Sequence, residues 1–287
     1  MKQIAIVSGK GGTGKSSLAL AFSSLAKNAV IADCDVDASN LHIVLNPTLL
    51  KTEEFIGSQL AQVDKNKCTN CMQCYLGCKF SAITKEIEIK ESLCEGCGVC
   101  RLLCSDKAIT MKDKVSGYTY ISETRFGLLS HAFLKPGAES SGKLVNEVRK
   151  NAIEISIKNN KELILIDGPP GIGCPLISTI TGINLAIVVT EPTFSAIHDL
   201  ERVFEVNKHF GVKSVVCINK SDINSFNTSK IKEYCDLNDI VVIGELPYDP
   251  IVNSAIVSRK TLLEISDSSL SSKIIEIWKK ILEEING

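Results

Sequence analysis

Short apolar runs recur along this chain, and what closes each run differs. Ile4, Ile6 and Val7 lead into "SGKGGTGKSS", after which Leu18, Leu20, Phe22 and Leu25 line a helix. That order predicts a buried strand, a glycine loop and an amphipathic helix. "AVIADCDVDASNL" is a second buried run that ends in acids, and "ELILIDGPPGIG" is a third that delivers Asp167 to a glycine-rich loop. "VVCINKSD" ends a further strand at Asn219, and "GELPYDP" follows with Pro247. "GLLSHAFLKPGAESSGKLVNEVRKNA" predicts a loop followed by an amphipathic helix. In the tail, Ile274, Trp278, Ile281 and Ile285 form a helical stripe. Strand–loop–helix order of this kind predicts an α/β fold, a doubly wound and mostly parallel sheet with its ligand at the strand C-terminal edge.

Composition narrows the function classes. The 287 residues are 44% hydrophobic and 23% charged, with a net charge of −1, so no general pull toward nucleic acid or an acidic membrane is expected. No run approaches the roughly 18 apolar residues of a membrane span. A chain that opens on a strand and a glycine loop leaves no room for a signal peptide, so a cytoplasmic protein is expected. The three lysines of the tail helix are matched by three glutamates, which favours core packing over a membrane surface.

The first glycine loop carries specific chemistry. Gly9 to Ser16 satisfies G-x-x-x-x-G-K-S. Gly11, Gly12, Thr13 and Gly14 would close backbone N–H groups around phosphates at a helix N-terminus, with Ser17 beside them. Lys15 would reach the β- and γ-phosphates of ATP, and the Ser16 hydroxyl would join the Mg²⁺ shell. A glycine turn that binds nothing is the alternative, and a strand before and a helix after argue against it. Lys10 is unexplained by this pattern, which needs one lysine only; a solvated side chain is its plain reading.

Eight of the twelve cysteines lie between Cys68 and Cys104. "CTNCMQCYLGCKFSAIT" and "CEGCGVCRLLCSDKAIT" align at an offset of 26 residues, each reading C-x₂-C-x₂-C-x₃-C with Ala-Ile-Thr beyond. This is an internal duplication with the bacterial ferredoxin spacing, in which the fourth cysteine serves the other cluster. Cys68, Cys71, Cys74 and Cys104 are therefore expected to hold one 4Fe–4S cluster, and Cys94, Cys97, Cys100 and Cys78 a second. Gly77, Gly96 and Gly98 suit a backbone wrapped closely around sulfide. Zinc is the competing reading, since C-x₂-C pairs also chelate it, but three consecutive two-residue spacings are unusual in zinc modules. The proline that commonly follows the fourth cysteine is absent, with Lys79 and Ser105 in its place. The expected organisation is 1–62 and 114–287 as the two parts of the nucleotide domain, with 63–113 as an inserted small α+β dicluster ferredoxin-like domain.

"KGGTGKS" resembles the deviant phosphate loop of the MinD/ParA/Mrp superfamily, which includes the nitrogenase iron protein. The resemblance covers everything but the insertion. It implies an ATPase that forms a homodimer on binding ATP, in which Lys10 crosses to the partner's phosphates as an arginine finger does. Asp33 and Asp35 match the family's D-x-D segment; Asp35 would orient the attacking water, with Asp37 in reserve. Asp167 matches the Walker B aspartate and would bind Mg²⁺ through water, Gly171 would sense the γ-phosphate, and Asn219 and Pro247 would contact the adenine. Cys174 lies seven residues past Asp167, the offset of a cluster ligand in the iron protein, whereas Ser140 stands where that protein has its other cysteine. No bridging cluster of that type is expected, and Cys174 reads as an ordinary switch-loop or buried cysteine.

Three functions follow as expectations. In the first, nucleotide state is coupled to electron transfer through the two clusters, with an unidentified redox or iron–sulfur acceptor as partner. In the second, the chain is an iron–sulfur carrier of the Mrp type; those proteins use a C-terminal C-x-x-C, and none occurs after Cys104. The third is a MinD/ParA-like positioning ATPase, which leaves the eight cysteines without a role. Lys143 and His131 carry no assignment, the histidine being read as a lone packing residue.

Overall fold

The computed structural model describes residues 1–138, 141–265 and 269–286. In chain order the elements begin with β1 (Lys2–Ser8), α1 (Lys15–Leu25), β2 (Ala29–Asp33), α2 (Leu41–Leu45) and β3 (Thr48–Val63). Next come α3 (Gln73–Gly77), α4 (Val99–Leu103), β4 (Ile109–Thr124), β5 (Gly127–Leu134), α5 (Ser141–Lys158) and β6 (Leu163–Pro170). The remainder is α6 (Cys174–Ile180), β7 (Leu185–Thr190), α7 (Phe194–His209), β8 (Ser214–Ile218), α8 (Ser225–Leu237), β9 (Val242–Glu245), α9 (Ile251–Val257), α10 (Leu262–Ile265) and α11 (Ser269–Asn286).

Two compact units result: Met1–Thr52 with Thr119–Phe133 and Ser141–Gly287, and Glu53–Tyr118 with Leu134–Ser140. The strands hydrogen-bond in the order β3-β4-β5-β2-β6-β1-β7-β8-β9. Every pairing from β5 to β9 is parallel. Parallel strands covered on both faces need apolar residues at successive positions, which is why β1, β2 and β7 read as unbroken runs. The order reverses at β1: the chain steps to one side for β2, returns with β6, and crosses to the other side with β7. A ligand crevice is expected outside the strand ends at such a reversal.

One face of this sheet buries α1 and α11. Phe22 and Trp278 meet there with ring centroids 5.3 Å apart, amid Leu18, Ile274, Ile277 and Ile281. The tail helix is thus a core element, as its stripe predicts. A second cluster of Leu20, Ile31, Leu41, Val44, Leu45 and Leu129 seats α2.

Residues 127–134 are a strand, not the loop expected from the sequence. The polar Ser130 and His131 interrupt its apolar pattern, yet both are buried. They are satisfied internally: Ser130 Oγ donates to the Val148 carbonyl at 2.8 Å, and His131 Nε2 lies 3.0 Å from Ser122 Oγ. Nor is His131 alone, because its ring stacks on that of His42 at 5.8 Å. Burial pushes the His131 imidazole down to about 4, with the neighbouring His42 charge adding to the effect.

The second unit contains the eight clustered cysteines, Cys68 to Cys104. Its small core joins Ala61, Ile83, Ile87 and Ile109 to Cys74, with further cysteines packed around them. The duplication is visible in the backbone. Asn70 and Gly96, Met72 and Gly98, and Ser81 and Lys107 are pairs 26 residues apart, and all six adopt positive φ between 52° and 75°. Non-glycine residues adopt this conformation uncommonly, so its recurrence at equivalent positions shows that both halves follow the same chain path.

Candidate functional site

The phosphate loop sits where β1 ends and α1 begins. Gly12 and Gly14 have φ of 82° and 91°, the left-handed region that glycine adopts at least cost. A Cβ at Gly14 would also lie 2.2 Å from the Asn219 amide nitrogen, so any larger residue there would have to displace that side chain. The loop lines a cavity of about 520 Å³ that reaches Ser16, Ser17, Asp35, Asn219, Pro247 and Tyr248. Its lining also includes the apolar Leu246, Val252, Leu270 and Ile274. A lining that combines polar loop residues with apolar side chains suits phosphates and a base.

Register accounts for the carboxylates. Asp33 at the end of β2 pairs with Asp167 on β6, so two acids sit side by side on neighbouring strands. Lys15, only 6% exposed, donates to Asp167 Oδ1 at 3.0 Å and to Asp35 Oδ2 at 3.4 Å. Burial would lower the Lys15 pKa, but Asp167 and Asp35 outweigh it and hold the ammonium above its ordinary range. The Asp167 carboxyl is raised, chiefly by burial, against the opposing pull of Lys15 and Ser16. Its Oδ2 is buried and has no hydrogen-bond partner.

Asp33 behaves differently from Asp35. It is fully buried, and burial together with the Asp167 charge raises its carboxyl to about 7. Its Oδ1 accepts from the Asp35 N–H at 3.2 Å, and its Oδ2 from Ser39 Oγ at 2.8 Å and the Leu41 N–H at 3.3 Å. Asp33 therefore braces the loop that presents Asp35, while Asp35 faces the cavity. Asp37 is exposed, and its pKa is raised by partial burial and by Asp35.

Lys10 lies within its own chain's contacts. Its Nζ is 2.7 Å from Glu191 Oε1 and donates to Thr193 Oγ1 at 2.9 Å and to Ser195 Oγ at 3.3 Å. The other Glu191 oxygen pairs with Lys220 at 2.9 Å, and Lys220 also donates to the Gly12 carbonyl at 3.0 Å. Asn219 donates from Nδ2 to the Thr13 carbonyl at 2.8 Å. The N-K dipeptide thus clamps the phosphate loop from the β8 end. Gly171, at φ 89°, donates its N–H to the Ser8 carbonyl at 2.9 Å, which puts the glycine-rich loop after β6 beside the end of β1. Glu191 escaped the sequence reading because a lone glutamate between a strand and a proline belongs to no phosphate-loop pattern.

In the second unit the eight thiols fall into two sets. One small cavity is lined by Cys68, Cys71, Cys74 and Cys104, another by Cys78, Cys94, Cys97 and Cys100. These are the two groups of four read from the spacing. The Ala82 N–H points to Cys78 Sγ at 3.4 Å, and the Ala108 N–H to Cys104 Sγ at 3.2 Å, again 26 residues apart. Among the described residues no three His, Cys, Asp or Glu side chains converge closely enough for a single metal ion.

Cys174 is exposed at the start of α6, whereas Cys34, Cys217 and Cys235 are buried. Ser140 lies outside the described residues. Lys143 is exposed in the first turn of α5. Among the described residues no helix is long and apolar enough to cross a membrane.

Comparison with known proteins gives the site its context. An uncharacterized protein of Methanocaldococcus jannaschii is 36% identical over 286 residues, covering 99% of this chain and 97% of that one. The septum site-determining protein MinD of Bacillus subtilis is 27% identical over 206 residues, 70% of this chain and 57% of its own. Among solved structures, Pyrococcus horikoshii MinD, complexed with Mg-ADP, superposes with a TM-score of 0.61 at 19% identity, covering 100% of this chain and 98% of that one. Residues 4–262 match the CobQ/CobB/MinD/ParA nucleotide binding domain, and with the phosphate loop, the paired aspartates and the parallel sheet in place, the chain belongs to that family.

Proposed function

We propose that this protein is an ATP-binding and ATP-hydrolysing switch of the MinD/ParA type that closes into a homodimer when ATP is bound. The observation that carries this reading is Lys15, held 3.0 Å from Asp167 and 3.4 Å from Asp35 beside a glycine loop at a helix N-terminus. Backbone N–H groups of Gly11 to Ser16 hold the β-phosphate, and Lys15 exchanges its carboxylate partners for phosphate oxygens. Asp35 orients the attacking water, and Lys10 from the second copy neutralises charge on the transferred group. Mg²⁺, when bound with the nucleotide, would neutralise phosphate charge, and Ser16 and Asp167 are the residues that would hold it. The residues fit it: Ser16 offers a hydroxyl, and Asp167 Oδ2 is a buried acceptor with no protein partner. Pro247 and the apolar wall around Leu246 and Val252 would receive the base.

The relatives favour a positional output. The Bacillus subtilis MinD bears a septum-site name, and a Borrelia burgdorferi chain of like fold is a putative plasmid partition protein bound to AMPPNP. The test is Mg²⁺-dependent ATP hydrolysis across protein concentration. The specific rate should rise with concentration and fall about a hundredfold or more in Lys15→Ala. A rate that is independent of concentration, in protein that light scattering finds monomeric with ATP, would exclude the dimer.

A second reading of the output rests on the two sets of four thiols. Two 4Fe–4S clusters, each supplying one-electron chemistry, fit the donors present: four cysteines per cavity, an exchanged fourth ligand, and backbone N–H groups aimed at Cys78 and Cys104. Cluster thiolates sit one to each iron and so stand further apart than the ligands of one ion. On this reading the second unit is the inserted ferredoxin-like domain, it accepts one electron per cluster from a one-electron donor, and nucleotide state gates delivery to an acceptor protein. Anaerobically prepared protein should then hold about eight irons, and Cys78→Ser should disturb the cluster served by Cys94, Cys97 and Cys100. Protein that holds no iron after reconstitution would leave the positional output alone.

A further inference from the structure

We propose that His42 is a positioning residue for Asp35, acting through Ser39 and Asp33 from a ring stack on His131. This inference rests on the ATPase reading above, in which Asp35 orients the attacking water. Asp33 is the joint between Asp35 and the start of α2. Its Oδ1 holds the Asp35 N–H at 3.2 Å, and its Oδ2 takes both the Leu41 N–H at 3.3 Å and the Ser39 hydroxyl at 2.8 Å. Ser39 Oγ also meets His42, whose Nδ1 lies 3.5 Å away.

The inventory of protons fixes the roles. A hydroxyl has one proton to donate and two lone pairs to offer. Ser39 spends its proton on Asp33, so it can only accept from His42, and the ring must donate from Nδ1–H. The stack holds that ring in place. His131 lies nearly parallel to His42, with 15° between the planes and 5.8 Å between centroids. His131 is itself fixed, its Nε2 lying 3.0 Å from Ser122 Oγ and its ring 5.1 Å from that of Tyr120. Burial lowers the pKa of both histidines, His131 to about 4, so at neutral pH two uncharged rings face each other without repulsion. His42 therefore fixes the Ser39 hydroxyl, and Ser39 with Leu41 fixes the carboxylate that holds the Asp35 N–H. An effect on the aim of Asp35 belongs to the hydrolytic step, whereas ATP affinity belongs to the phosphate loop.

Loss of the His42 bond should lower kcat about three- to tenfold and leave KM for ATP unchanged. His42→Phe keeps a ring for the stack and removes the donor, so it should show this loss. His42→Asn places an amide N–H near the Nδ1 position and should restore the parent rate. Ser39→Ala alone should lower kcat as far, which tests the chain without touching the stack. In the Ser39→Ala background, His42→Phe should cost nothing further, because the bond it removes is already gone. A spectroscopic readout is independent of turnover. Long-range proton–nitrogen correlation NMR resolves the tautomers of the four histidines, with the His42 signal assigned by its absence from His42→Asn. The parent should carry the His42 proton at Nδ1, and Ser39→Ala should shift it toward Nε2.

A parent whose His42 is protonated at Nε2 alone would overturn the proposal, because Nδ1 would have nothing to donate. So would an unchanged kcat in His42→Phe, or an equal loss with and without the Ser39 hydroxyl. A raised KM at constant kcat would place His42 in nucleotide binding and overturn it equally. If the parent itself hydrolyses no ATP, the ATPase reading fails and the positioning role falls with it, whatever tautomer His42 shows.

Discussion

Asp33→Asn should change the pH dependence of stability in a direction that few carboxylate substitutions share. Asp33 is fully buried beside Asp167, and its carboxyl is raised from 3.8 to about 7. A folded-state pKa above the unfolded value means the native chain binds this proton more tightly. The group's contribution is therefore complete below about pH 4 and is lost as pH rises through about 7. A displacement of that size corresponds to about 4 kcal/mol as an upper limit. Asp33 and Asp167 share the effect, so the part removed with Asp33 is about 2 kcal/mol. Asparagine keeps an oxygen for the Asp35 N–H while never acquiring the charge. The assay is urea unfolding between pH 5 and 8 without nucleotide or Mg²⁺, followed by the single tryptophan, Trp278, which reports on the first unit's core. The variant should equal or slightly trail the parent at pH 5 and exceed it by about 2 kcal/mol at pH 8. Parallel profiles, or a variant weaker at pH 8, would refute the reasoning, because Asp33 would then be stabilised as the anion.

Two further substitutions probe the packing and the loop clamp. Trp278→Ala empties a site that is 6% exposed against Phe22 and should cost about 3–5 kcal/mol, read by circular dichroism during urea unfolding. A cost below about 1 kcal/mol would place the tail helix outside the cooperative core. Asn219→Ala removes the 2.8 Å bond to the Thr13 carbonyl and should weaken ATP and GTP binding alike by about tenfold in titration calorimetry. If Asn219 instead reads the base, the loss would fall on ATP and leave GTP unchanged.

Much of the nucleotide site was legible because its chemistry constrains short stretches of sequence. Glycines at Gly12 and Gly14 answer to backbone angles, Lys15 and Ser16 stand where phosphate and metal are proposed to bind, and Asp167 answers to the strand end beside them. The cysteine spacing was legible for the same reason. What escaped notice depends on contacts distant in sequence. β5 was hidden because the propriety of burying Ser130 and His131 is decided by Val148, Ser122 and His42, none of them neighbours in the chain. β3 was hidden because most of its first half is exposed, so no alternation of apolar and polar residues marks it. Consequently the second unit extends beyond the expected 63–113, taking in parts of β3 and β4 and residues 134–140. The clamp on the loop was hidden for the same reason. Asn219 could be named from its dipeptide, but its partner, the Thr13 carbonyl, is 206 positions away.

The two lysines of the opening loop share one electrostatic arrangement. In the resting chain each already has carboxylate partners: Lys15 has Asp167 and Asp35, and Lys10 has Glu191. Phosphate binding at either lysine is therefore an exchange of anions rather than the filling of an empty cationic site. An exchange of this kind gains little net Coulomb energy, since the desolvated carboxylates left behind are themselves costly. Lys15's two acids have a second cation available, because the uncoordinated Asp167 oxygen can take up Mg²⁺ that arrives with the nucleotide. Glu191's remaining cation is Lys220, which is already in place. On the proposed dimer reading, release of Lys15 is matched to nucleotide and metal together, whereas release of Lys10 would be driven by the phosphates of another copy. The first exchange can proceed in a single chain and the second cannot. On that reading the loop has two lysines with separate tasks, one proposed to hold ATP and one proposed to register that a second loaded copy has arrived.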